Sequence, residues 1–141
     1  MNKNFKIPTN NLALALGGGA ARGAFHLGVL DFCEQNNIEI KAYSGSSIGA
    51  IISASHASGI SAKEQLKIFS SSDVKKALKF NYFKNGLLRI DTNSKIIKEL
   101  LPIEKLEDIS KPVWVNAYDL RKNYTILTVE IRLLYAWRQV L

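Results

Sequence analysis

The order of apolar and polar positions divides the chain into short strand-like and helix-like segments. Residues 1–10 are polar and loose, and they precede a five-residue apolar run, Leu12–Leu16, that stops at Gly17-Gly18-Gly19. An apolar run ending in glycine predicts a buried strand entering a loop. From about Ala21 to Asn36, Phe25, Val29 and then Phe32 and Cys33 are spaced by three or four positions. That spacing predicts a helix with those four side chains on its core face, ended by Asn36-Asn37. Ile38–Tyr43 predicts a second strand. Residues from Ile48 to about Ala57 are small or apolar all round, which predicts a helix buried on most of its surface. Gly59 closes it. Ser61 followed by Glu64 then forms a capping box for a helix over Ala62–Phe69.

The second half is less regular. Asp73–Phe83 interleaves Lys75, Lys76 and Lys79 with Phe80, Tyr82 and Phe83, and Asn85-Gly86 marks a turn. Thr92 predicts a cap for a helix to Leu101, stopped by Pro102. Pro112 opens a strand over Val113–Tyr118, and Tyr124–Val129 forms another, joined through Asp119–Asn123. Strands alternating with helices define an α/β class, here a three-layer arrangement with a largely parallel sheet between helices. The expected organisation is a flexible N-terminus over 1–10, one domain over 11–128 and an atypical tail over 129–141.

Composition narrows the functional classes. The chain has 141 residues, 47% of them hydrophobic, so it is not a disordered tail. Cys33 is its one cysteine, which excludes a disulfide framework and fits a reducing, cytoplasmic compartment. Lys3 and Lys6 ahead of Leu12–Leu16 imitate a signal peptide, but the apolar run falls short of the usual ~7–15 residues. Nor is there an apolar run of the ~18 residues that would mark a membrane-spanning helix. One cysteine and two histidines at unrelated spacings carry no metal signature, and no cofactor is expected. The formal charge is +7. Lys75, Lys76, Lys79 and Lys84 beside aromatics fit peripheral contact with an anionic membrane surface, or a solvated face with the aromatics turned inward. Nucleic acid is not an expected partner.

Two glycine-rich turns carry the candidate chemistry. Gly17-Gly18-Gly19-Ala20-Ala21-Arg22-Gly23 joins a strand to a helix. Backbone N–H groups in such a loop can cradle a pyrophosphate or serve as an oxyanion hole. The dinucleotide form G-x-G-x-x-G fails, because Arg22 or Ala20 stands where its third glycine belongs. A phosphate-binding module nevertheless stays open on this motif alone. Gly45-Ser46-Ser47-Ile48-Gly49 fits G-x-S-x-G, in which a serine on a sharp strand-to-helix turn projects its hydroxyl. The alternative is a Gly/Ser-rich turn that merely caps a buried helix.

Taken together, Gly17–Gly23, His26, Gly28, Val29 and Gly-Ser-Ser-Ile-Gly-Ala at 45–50 resemble the bacterial patatin-like phospholipase family over roughly residues 11–128. The resemblance implies lipid-ester hydrolysis by a Ser–Asp dyad. Ser47 is the nucleophile in that scheme, within an elbow bounded by Gly45 and Gly49. Backbone N–H groups around Gly18, Gly19 and Ala20 are the oxyanion donors, and Arg22 positions the loop or the developing charge. A dyad needs no histidine. His56 lies nine residues after Ser47 on one helix, about 13 Å away at 1.5 Å per residue, too far to be its base. His26 is assigned to packing, although it could face the loop.

The pattern breaks downstream. The family's catalytic aspartate lies in an Asp-Gly turn, and none of the five aspartates here is followed by glycine. Asp119 matches a structural strand end and is not promoted to the role. The last 13 residues contain two arginines and no lysine, in contrast to the lysine-rich body. The expectation is therefore a front portion of a patatin-like domain, truncated or frame-shifted near residue 129, with a real amphipathic terminal helix as the alternative. Its function is expected to be acyl hydrolysis impaired for want of the dyad aspartate. A non-catalytic remnant is the rival.

Overall fold

A computed structural model describes residues 11–72, 78–80, 88–90, 95–103, 105–119 and 122–128. Its first unit is β1 (Leu12–Leu16), α1 (Gly23–Gln35) and β2 (Ile40–Gly45). Next come α2 (Ile48–Ala57), α3 (Ala62–Phe69), a short β3 (Leu78–Phe80) and β4 (Leu88–Ile90). The chain continues through α4 (Lys95–Leu100), β5 (Val113–Asp119) and β6 (Tyr124–Thr128).

The main sheet has the order β1-β2-β5-β6, and β3 pairs separately with β4. β1, β2 and β5 run parallel, while β6 is antiparallel to β5. The α/β class and the largely parallel sheet are therefore as the sequence predicts. Leu14, Tyr43 and Val113 lie side by side in register. Tyr43 and Val113 are buried, whereas Ala13, Ala15 and Lys41 on neighbouring strand positions are exposed. α2 lies against β1, β2 and β5, with α1 and α3 packed on α2 and on each other. α4 packs on α3 in turn.

Local chemistry accounts for the elements. Ser61 accepts from the Glu64 amide while Glu64 Oε2 accepts from the Ser61 amide at 2.9 Å, so the predicted capping box starts α3. α2 contains no proline and is buried at eight of its ten positions. Leu30, Ile52, Ala54 and Leu100 are among the least exposed side chains of the core.

α1 departs from expectation. Its buried residues are Gly23, Leu27, Leu30 and Cys33, whereas Phe25 (76%), Val29 (47%) and Phe32 (49%) face outward. Two apolar stripes with helical spacing share this helix, and the sequence pattern selected the outer one. The tie is broken at Gly23: a Cβ there would lie 2.7 Å from Ile48 Cγ1, so this side of α1 seats directly on α2. Only Cys33 of the four predicted core residues is buried. Burial, reinforced by Glu34, raises its thiol pKa, so it behaves as a small apolar side chain.

Lys75, Lys76, Tyr82, Phe83, Lys84, Asn85-Gly86, Thr92 and the stretch 129–141 lie outside the described residues.

Candidate active site

Parallel pairing brings the two glycine-rich turns together. Leu16 and Gly45 are register partners at the carboxyl ends of β1 and β2. The chain segments that follow them leave the sheet at the same edge. In parallel sheets, that edge is where ligands are bound. Ser46 N–H donates to Leu16 O at 3.0 Å, tying the second turn to the end of the first strand.

The elbow is sterically determined. A Cβ on Gly45 would come within 2.5 Å of Ala50 Cα and Gly49 O. One on Gly49 would overlap the carbonyls of Leu16 and Gly17. These are backbone atoms that cannot swing aside, so both flanking positions require glycine. Between them Ser47 has φ 51° and ψ −123°, a conformation that costs a non-glycine residue about 1–3 kcal/mol. It is held there by the turn bonds Gly49 N–H to Ser46 O and Ala50 N–H to Ser47 O, both 2.9 Å.

Ser47 occupies the N-cap position of α2, where serine commonly bonds an amide of the first turn. Its hydroxyl makes no such bond. The side chain is exposed, and among the described residues nothing hydrogen-bonds its oxygen. A strained serine with a free hydroxyl sits at the start of a ten-residue helix, whose dipole favours negative charge there.

The glycine loop lies alongside. A Cβ on Gly18 would sit 3.4 Å from Ser47 Cβ and 3.7 Å from Ser46 O, so no more than about a methyl group separates the loop from the elbow at this point. Ala20–Arg22 forms a single 3-10 turn closed by Arg22 N–H to Gly19 O at 3.0 Å. Arg22 is exposed and leads directly into α1. The structure thus sets Gly18 beside Ser47, with Gly45 and Gly49 closing the elbow on either side of it.

The histidines have definite partners. His26 Nε2 donates to Gly17 O at 2.8 Å, so it faces the loop rather than simply packing. The sequence signal was only the interval of nine residues between them. His56 belongs elsewhere. Its Nε2 donates to Glu34 Oε1 at 2.8 Å and its Nδ1 lies 2.6 Å from the Tyr43 hydroxyl. The same carboxylate oxygen accepts from the Ala62 amide at 2.9 Å. Burial, helped by Cys33 and Glu34, holds the Tyr43 phenol well above its ordinary pKa. This network joins α1, β2, α2 and the start of α3 through residues far apart in the chain.

Of the aspartates, Asp31 is on α1 beside Lys63 at 4.0 Å, Asp108 is in a 3-10 turn and Asp119 ends β5 opposite Tyr124. Asp73 and Asp91 lie outside the described residues. Among the described residues no group of three or more His, Cys, Asp or Glu could hold a metal ion. No helix among them is long and apolar enough to cross a membrane.

Comparison with known proteins decides the family. Residues 14–130 match the patatin-like phospholipase family model. The chain belongs to the patatin-like phospholipase family. Its relatives include mouse patatin-like phospholipase domain-containing protein 6, 46% identical over 48 residues, a stretch covering 34% of this chain and 4% of that protein. An uncharacterised NTE-family protein of Mycobacterium tuberculosis is 44% identical over 48 residues, covering 34% of this chain and 13% of the relative. Neuropathy target esterase of Drosophila persimilis is 47% identical over 45 residues, covering 32% of this chain and 3% of its own length. The chain matches only a small fraction of the length of these relatives. Patatin-like phospholipases are a lipid hydrolase family, and both glycine-rich turns fall within the family match.

Proposed function

We propose that the chain carries the nucleophile and oxyanion loop of a lipid acyl hydrolase acting on carboxylic esters. The observation that supports this most directly is Ser47 itself: strained backbone, exposed hydroxyl and no capping bond. A turn that served only to cap α2 would use the hydroxyl and would relax the backbone.

In this reading Ser47 Oγ attacks the ester carbonyl carbon. The resulting oxyanion is met by backbone N–H groups of Gly18, Gly19 and Ala20 and by the start of α2. Arg22 adds positive charge at the rim of the loop. Collapse expels the alcohol and leaves an acyl-serine, which water hydrolyses to the free acid. Each step needs a group to take up and return a proton, the role of the aspartate in a Ser–Asp dyad. Without it Ser47 is weakly activated, and turnover falls far below that of a complete site, with the oxyanion loop and binding sustaining a residue.

The test is labelling of the chain by an alkyl fluorophosphonate, alongside hydrolysis of a short-chain p-nitrophenyl ester. Slow labelling at Ser47 that disappears in Ser47→Ala is the expected outcome. Equal labelling of both proteins would overturn the assignment. Fast turnover abolished by Ser47→Ala would show that a base is present.

A further inference from the structure

Gly17, Gly18 and Gly19 follow one another without side chains, so their peptide planes can rotate with little steric penalty. Such a loop makes a poor oxyanion hole unless something selects one orientation. His26 supplies that selection at one peptide. It sits in the first turns of α1, a helix seated on α2 at Gly23, and its Nε2 lies 2.8 Å from Gly17 O. A carbonyl oxygen can only accept, so the ring nitrogen carries the proton.

A trans peptide is planar, and its C=O and the following N–H point in opposite directions. All peptide bonds described here are trans. Fixing Gly17 C=O therefore fixes the direction of Gly18 N–H as well. Gly18 is the loop residue that lies against Ser47, within 3.4 Å by its Cβ position. We infer that His26 is a positioning residue of the oxyanion loop: its hydrogen bond to Gly17 O, a carbonyl that also lies close to Gly49, locks the Gly17–Gly18 peptide in one orientation beside the elbow. The inference rests on the reading of Ser47 as nucleophile for its catalytic consequence, but not for the locking itself.

Two substitutions separate the roles open to this histidine. His26→Gln retains an N–H donor of similar reach, and His26→Phe retains a flat ring without one. In the full chain, amide 15N relaxation dispersion should find Gly18 in one state for the wild type and His26→Gln, and exchanging between two states in His26→Phe. The rate of Ser47 labelling by a fluorophosphonate should fall about fivefold in His26→Phe, the effect of one neutral hydrogen bond, and recover in His26→Gln. Far-UV circular dichroism checks that each variant is folded.

A Gly18 amide equally rigid in His26→Phe and wild type would overturn the inference. So would loss of labelling in His26→Gln as severe as in His26→Phe, since rescue by a donor is what positioning demands. If the wild type fails to label while Gly18 still responds to His26→Phe, the locking stands and the nucleophile reading fails.

Discussion

Replacing Ser47 by glycine removes the candidate nucleophile, and it should make the protein more stable. The φ of 51° and ψ of −123° at this position place it in a region that glycine populates freely and serine does not. Relief of that strain is worth about 1–3 kcal/mol. Against it stands the greater unfolded-state freedom of glycine, about 0.5–1 kcal/mol. The net expectation is a gain of about 1 kcal/mol, or a rise in Tm of roughly 3 °C for a chain of this size. Ser47→Ala is the control. It keeps the strain and loses a hydroxyl that bonds no helix amide, so its stability should lie within about 0.5 kcal/mol of the wild type. Urea titration followed by far-UV circular dichroism measures both differences, with equal m-values required for comparison. The reasoning is refuted if Ser47→Gly is no more stable than Ser47→Ala, or if Ser47→Ala loses the ~1 kcal/mol of a broken cap.

Gly49→Ala should cost about 3 kcal/mol or prevent folding, because its methyl group meets backbone carbonyls of Leu16 and Gly17; expression and thermal melting decide. Leu30→Ala should lose about 2–5 kcal/mol from a fully buried position. Phe25→Ser, on the outer stripe of α1, should change stability by less than about 0.5 kcal/mol. Chemical denaturation of that pair tests which face of the helix is the core. Glu64 has a pKa lowered by its bonds to Ser61. Its contribution is therefore present above its ordinary value of 4.5 and lost as pH falls through the lower native value. Glu64→Gln should remove that part of the acid dependence of Tm, while the wild type keeps it.

The parts of the fold legible in the sequence are those where one local rule dominates. β1 stops at a run of glycines, α2 is apolar on every side, and α3 starts at a Ser-x-x-Glu box; each occupies the residues predicted for it. β2 begins two residues later than expected, at Ile40, because Ile38 is taken up in closing α1 through a bond from its amide to Cys33 O at 2.9 Å. α1 defeated the pattern because period alone cannot choose between two apolar stripes; the choice is made by contact with α2. The elbow was legible because steric exclusion at Gly45 and Gly49 writes itself as glycine, whereas Gly17 meets nothing that would exclude a side chain. The Tyr43–His56–Glu34 network was not legible: each member is an ordinary residue on its own element, and only the parallel pairing and helix packing bring them together.

That network has a consequence for the helix that Ser47 begins, although it lies toward the other end of α2. The helix is gripped at both extremities, by the tight elbow at Ser47 and by the Tyr43 and Glu34 bonds to His56. A beam pinned at one end can tilt, whereas one pinned at both ends cannot. The polar clamp near Ala57 therefore fixes the far end of the same helix that begins at the elbow. Removing the carboxylate of Glu34 should free that far end of α2 while leaving the torsion at Ser47 to the glycines and turn bonds that flank it.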